Sequence, residues 1–229
     1  MSKSVMADFV KDVMRKEIKI CLPVYKIVYS VCFVILLSLV RGITYSEETG
    51  PAMEGPVAIL AFAFCADTYV QEIVSSRIQV LCLCPVKRRA VSLYVRIAVQ
   101  SVYVILLSAA GYGFFYLFQK PIKMSAELSE AHLFLLFLEA VSVTAVFWGM
   151  LSAAVSILCR SLWASAAVCL VLWILAYSKA ADLFLGKWNL FSYAFLGAEG
   201  NTDWRCGEAV CAAFILMLAA AVLMMIKKR

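Results

Sequence analysis

The sequence predicts an all-α polytopic membrane protein with six transmembrane helices, and three observations predict it. Of its 229 residues, 64% are hydrophobic and the mean hydropathy is +0.91, whereas a soluble domain is only about 45–50% apolar. Charged residues make up 16% of the chain and stand in short clusters between apolar runs, most of them near the roughly 20 residues that cross a bilayer core. The basic residues are also unevenly shared. With the N-terminus inside, 15 of the 21 Lys and Arg residues fall on one side and six on the other. By the positive-inside rule both termini are then cytoplasmic, and the expected location is the cell (plasma) membrane. The net charge of +6 lies at the predicted membrane borders, where it sets orientation; no nucleic acid partner is expected.

Residues 1–23 come before the first span. In MADFVKDVMRKEIKI, Phe9, Val10, Val13 and Met14 recur at helical spacing against Lys11, Asp12, Arg15 and Lys16. This is the pattern of an amphipathic helix lying in the membrane interface, ended by Pro23. Its mixed charges lead us to expect no cleavable signal. Residues 24–229 read as one membrane domain, with spans at about 24–43, 57–75, 96–118, 132–159, 162–181 and 206–226. An acidic loop, Thr44–Pro56, carries Glu47, Glu48 and Glu54, and span 2 holds Asp67 and Glu72 in its second half. Span 4 carries Ala145, Gly149 and Ala153 at four-residue intervals, a spacing that lets helices approach closely. Such spacing is also common by chance in an alanine-rich chain. The segment 182–205 holds Phe184, Leu185, Trp188, Leu190, Phe191, Tyr193, Phe195 and Leu196. It reads as a short re-entrant or interfacial hairpin broken at Gly197 and Gly200, or as an aromatic-belt helix on the outer leaflet.

Metal and catalytic chemistry have little raw material. Most of the nine cysteines lie in apolar runs, Cys82 and Cys84 are too close for usual zinc spacing, and His132 is the single histidine. A membrane-embedded enzyme needs convergent polar groups, and an ATP-independent carrier or channel needs a polar midplane site, commonly at broken helices in repeated halves. Neither a repeat nor paired broken spans are visible. Glu139, about two turns inside span 4, reads as a cargo-contacting or gating residue, as a structural partner of Lys179 or Arg41, or as a protonated acid facing another helix. Asp67 reads as structural, and Arg41 snorkels to the border.

The most informative segment joins spans 2 and 3. It holds Glu72 at the membrane border, the apolar half-turn pattern Ile78, Leu81, Leu83, a break at Pro85 and then Lys87, Arg88 and Arg89. That pattern makes a short interfacial helix for a cytoplasmic partner, or a basic loop that only sets topology. The run LCLCPVKRRAVSLYV resembles the cytoplasmic segment of ABC-2 type transporter permeases, in which Leu-x-Ser-x-Pro-Val-Ser-Arg precedes an apolar stretch. Leu81, Pro85, Val86 and Arg88 take the matching positions, with the acidic Glu72 upstream. Lys87 stands where a small hydroxyl residue is usual, and Ser76–Arg77 where many relatives have Gly-Thr. The opening FVKDVMRKE is similar to the amphipathic helix of the short six-span Gram-positive members.

The resemblance implies the transmembrane permease subunit of an ATP-driven exporter. It implies a coupling helix within 72–90, with Glu72, Arg77, Leu81, Pro85, Val86, Lys87, Arg88 and Arg89 facing a separate ABC-type ATPase. It also implies a second permease copy, and a cargo that is an amphipathic, antimicrobial-type peptide or a hydrophobic compound. The chain itself would carry no cofactor, ATP and Mg being bound by the partner. In agreement, no GxxxxGK[ST] phosphate loop occurs, since Gly186–Lys187 is followed by Trp188. By the same resemblance Trp188, Phe191 and Tyr193 would belong, with Glu139, to the cargo path or outer gate.

Overall fold

A computed structural model describes residues 17–74, 85–123, 129–195 and 203–228. Among them the chain forms helices and turns, with one isolated β-bridge between Tyr45 and Ile122. Residues 17–21 are helical, and Pro23 caps the next helix, α1 (Val24–Val40). A 3-10 turn, Ser46–Glu48, leads into α2 (Thr49–Ala66), followed by the short α3 (Val70–Val74). Then come α4 (Val86–Gln119), α5 (Glu130–Cys159), α6 (Leu162–Ala176), α7 (Lys179–Leu185) with a 3-10 turn at Gly186–Trp188, and α8 (Arg205–Lys228). Serines start three of these helices. Ser129, Ser161 and Ser178 each accept a hydrogen bond from the backbone N–H three residues on, which satisfies one of the donors a helix start leaves open.

Side-chain pairs give the helix directions. Glu54 meets Thr144, and Ser152 donates to Phe62 O, so α2 and α5 run parallel. Lys26 at the start of α1 reaches Phe64 O at the end of α2, and Trp173 near the end of α6 donates to Gly55 O. Both helices are therefore antiparallel to α2. Gln119 at the end of α4 donates to Ser38 O and Arg41 O at the end of α1. One end of the bundle thus gathers Lys26, Asp67, Glu72 and Arg96, and we call it the basic end. The other gathers Tyr177, Phe191, Tyr193 and Trp204, and we call it the aromatic end.

Four helical stretches, Ser46–Ile73, Arg88–Gln119, Glu130–Cys159 and Arg205–Lys227, are long and apolar enough to cross a membrane. The bent pair Leu162–Ala176 and Lys179–Trp188, which turns through 65°, makes a fifth if it counts as one span. α1 is apolar but only 17 residues long, about 25 Å at 1.5 Å per residue. The stretch containing α2 is 78% buried inside the bundle and the one containing α8 only 17%. The first is the buried axis against which α4, α5 and α6 pack, and the second lies at the periphery against α5. Ala145, Gly149 and Ala153 face this axis: both alanines are buried, and a methyl added at Gly149 would lie 3.0 Å from Cys65 Sγ.

Several boundaries differ from expectation. The predicted loop Thr44–Pro56 is helical from Thr49 onward, with Pro56 inside α2. Pro51, in the first turn, loses no helical bond there. The break that Pro56 threatens is overridden by burial of α2 among α4, α5 and α6, as packing commonly overrides propensity. α4 begins at Val86, ten residues before the predicted span, so residues 86–90 are its first turn and not part of a separate coupling helix. Residues 75–84, including Arg77 and Leu81, lie outside the described residues, as does the amphipathic pattern of residues 1–16. The predicted span 162–181 breaks at Tyr177–Ser178, where α7 turns away. The segment after it consists of short helical pieces and turns as far as Phe195, whereas Gly197 and Gly200 lie outside the described residues.

Enlarging Gly149 tests the close contact of α2 and α5. Gly149→Val is expected to lower stability by about 1–3 kcal/mol through overpacking, seen as a lower midpoint of thermal unfolding in detergent. Gly113→Ala, with open space around the added methyl, is expected to leave the midpoint unchanged. Equal midpoints for both variants would contradict the packing described.

Candidate functional site

The basic end is tied by buried ion pairs. The Arg96 guanidinium donates from Nε to Glu17 and from Nη1 to Glu72, each at 2.5 Å, and Ser92 adds a hydrogen bond to Glu17. Lys26 Nζ lies 2.6 Å from Asp67 and 3.0 Å from Phe64 O. That carbonyl belongs to the last turn of α2, where carbonyls lack helical partners and a cation is favoured. Thr68 donates to Gln100, whose amide reaches Cys21 O. These bonds join residues 17–21, α1, the α2–α3 corner and α4. Taking each ion out of water costs several kcal/mol, which only paired and hydrogen-bonded geometry offsets. Cys21 sits among them, buried, and burial pushes its thiol up to about 12. Arg96 opposes that shift in part, so Cys21 is a neutral, unreactive thiol.

Burial differs among the described residues of the expected coupling surface. Glu72 is buried against Arg96, while Pro85 and Arg88 are exposed and Val86 and Arg89 half-buried at the start of α4. For Lys87 only the backbone is described. Asp67, expected to be structural, pairs with Lys26.

At the aromatic end, Phe191 and Tyr193 insert into the bundle. Phe191 stacks on Trp148 at 5.6 Å and meets Tyr177 edge-on at 5.2 Å. Tyr193 packs on Trp204 at 5.1 Å. Its hydroxyl lies over Gly50, where an added methyl would approach within 2.2 Å and force the Tyr193 ring to shift. Trp188 points outward, half exposed, with Lys187 over its ring, as an interfacial belt residue does. Glu139 is exposed on the bundle surface, and its partner is Arg205 at 3.2 Å, not Lys179 or Arg41.

Two acids that the sequence reading passed over lie deeper. Glu54 is fully buried: one carboxyl oxygen accepts from Thr144 Oγ1 at 2.8 Å, the Ala194 amide is turned toward it, and Oε2 has no hydrogen-bond partner among the described residues. Glu208 is 7% exposed, and neither of its carboxyl oxygens has a hydrogen-bond partner among the described residues. The two interact electrostatically with each other and with Tyr193. Among the described residues no ion pair engages either one. Burial, then Glu54 and Glu208, push the Tyr193 phenol up, so it remains a neutral donor beside them. An acid inside an apolar run is the signal that marks Glu208. Glu54 was hidden by the prolines that made its surroundings read as a loop. No cluster of three or more metal-ligating side chains occurs among the described residues.

Comparison with protein-family models, with characterised proteins and with solved structures finds no match to this chain.

Removing the shared cation tests the basic end. Arg96→Ala leaves Glu17 and Glu72 buried and unpaired, and is expected to cost about 3–5 kcal/mol, read by thermal unfolding in detergent. Glu17→Gln/Glu72→Gln/Arg96→Met is expected to recover most of that loss. An Arg96→Ala protein as stable as wild type would overturn the assignment.

Proposed function

We propose that this chain is the permease subunit of an ATP-driven exporter, crossing the membrane six times and working with a separate ABC-type ATPase and a second permease copy. α1, α2, α4, α5, the bent α6–α7 pair and α8 are the six crossings in this reading, with the basic end in the cytoplasm. The observation that carries it is the Glu72–Arg96 pair, which ties α3, just before segment 75–84, to the third turn of α4, just beyond it. A push delivered there by a partner would pass directly into α2 and α4. α2 runs through the centre of the bundle to Glu54 and the Phe191–Tyr193 turn, so movement at the basic end reaches the aromatic end along one buried helix. The LCLCPVKRR resemblance supplies the kind of partner. α8, largely uncovered, offers a face to lipid or to the second copy. Glu54 and Glu208 replace Glu139 as the polar groups turned toward cargo, an amphipathic peptide or hydrophobic compound.

A second reading, an ATP-independent carrier, is favoured by the same two acids, because carboxyls buried without a base commonly mark ion or proton paths. Depleting ATP while the ion gradient stays intact separates the two readings: export stops in the first and continues in the second.

The direct test is purification of the tagged chain from its native membranes. An ABC-type ATPase is expected to co-purify, and Pro85→Ala/Arg88→Glu to weaken that complex and its stimulated ATP hydrolysis about tenfold or more, a loss of roughly 1.4 kcal/mol. If no ATPase is retained, or the double variant behaves as wild type, the exporter reading fails. Glu54→Gln/Glu208→Gln is expected to lower export while ATPase binding stays intact. Unchanged export in that variant would remove both acids from the cargo path.

A further inference from the structure

We infer that a cavity at the basic end binds the phosphate of an anionic phospholipid headgroup. The cavity has a volume of about 880 Å³, within the range of small-ligand sites. It opens where residues 17–21, the α2–α3 corner and the turn between α5 and α6 converge, and Lys19, Tyr25, Asp67, Glu72, Arg160 and Trp163 line it. The inference goes beyond the transport reading and needs only that this end lies at a membrane surface.

Charge decides what the cavity accepts. Its two carboxylates are occupied, Asp67 by Lys26 and Glu72 by Arg96. Lys19 and Arg160 are exposed, and no ion pair among the described residues engages them. Lys19, Lys26, Arg96 and Arg160 stand against Glu17, Asp67 and Glu72, leaving one positive charge in excess. Lys19 and Arg160 both line the cavity. Arg160 also holds a left-handed backbone, with φ of 52°, at the helix end where glycine is the usual residue. An arginine there keeps its side chain at some conformational cost, although a cation also suits the C-terminus of a helix.

The aromatic residues select a lipid over a free anion. Trp163 is 80% exposed and Tyr25 58%, and both flank the cavity. Large amphipathic rings at this level belong in the interface between headgroups and acyl chains. A soluble phosphate has no use for them, whereas a phospholipid places its phosphate on Lys19 and Arg160 and its chains along Trp163 and Tyr25. Basic pockets between membrane helices on the cytoplasmic side are the usual form of such sites. A lipid seated here would bridge residues 17–21 to the α5–α6 turn, beside the Arg96 junction.

The test uses the full purified chain in detergent and phospholipids carrying brominated acyl chains, which quench nearby tryptophan. The contribution of Trp163 is taken as the difference between wild type and Trp163→Phe. Phosphatidylglycerol is expected to quench it at roughly 30-fold lower concentration than phosphatidylcholine, the weight of two basic residues at a membrane surface. Lys19→Gln/Arg160→Gln is expected to abolish that preference. Lys19→Arg/Arg160→Lys, which keeps both charges, is expected to retain it, as is Lys123→Gln/Lys179→Gln at the opposite end. Equal quenching by the two lipids overturns the inference, as does a preference that survives Lys19→Gln/Arg160→Gln. Soluble glycerophosphoglycerol competing as well as the whole lipid also overturns it, in favour of a free-anion site.

Discussion

One guanidinium, Arg96, is shared between two carboxylates that come from opposite sides of it. Glu17 belongs to the segment before α1 and Glu72 to the corner that follows α2. All three are largely removed from water, so none can be left alone without a cost of several kcal/mol. Lys26 and Asp67 repeat the arrangement one helix away, with the Phe64 carbonyl drawn in. Together the two networks hold the basic end as one unit. The first turn of α4, with exposed Pro85 and Arg88, projects from that unit. A partner acting there acts on the whole end of the bundle.

From this anchor the rest of the fold follows through α2. Small residues on α5 bring it close to the axis, and α2 carries the connection to the far end. There Gly50 and Gly207 make room for the turn that precedes α8. A methyl at Gly207 would fall 2.1 Å from Asn189 O, so this crossing of backbones depends on its absence. Trp148, Phe191 and Tyr177 pack on one another at the aromatic end, where Glu54 Oε2 and both Glu208 carboxyl oxygens lack a hydrogen-bond partner among the described residues.

Much of the architecture was legible in the sequence because it rests on local pattern. Long apolar runs gave the helices, and the basic clusters gave the end at which Lys26, Arg96 and Arg160 assemble. The aromatic run after Ala181 gave the short inserted pieces. The spacing of Ala145, Gly149 and Ala153, weak as a signal, lies where α5 packs on α2. What remained hidden depends on pairing across distance. Arg96 read as a span border because nothing nearby in sequence shows that Glu17 and Glu72 meet it. Glu139 read as an intramembrane acid, yet Arg205 comes beside it from a helix 66 positions later. Glu54 read as a loop acid because Pro51 and Pro56 are strong local breakers, and only burial of α2 on several sides keeps that stretch helical.

On the exporter reading proposed above, Arg96 is the link through which a cytoplasmic partner would act on α2. The most direct measurement is transport and ATP hydrolysis in the same reconstituted complex, comparing wild type with Arg96→Lys. Lysine keeps the charge but lacks the planar fork that serves two carboxylates at once. The account predicts that the complex still assembles and hydrolyses ATP, while transport per ATP falls about tenfold, equivalent to roughly 1.4 kcal/mol of lost coupling. Transport per ATP equal to wild type would contradict it.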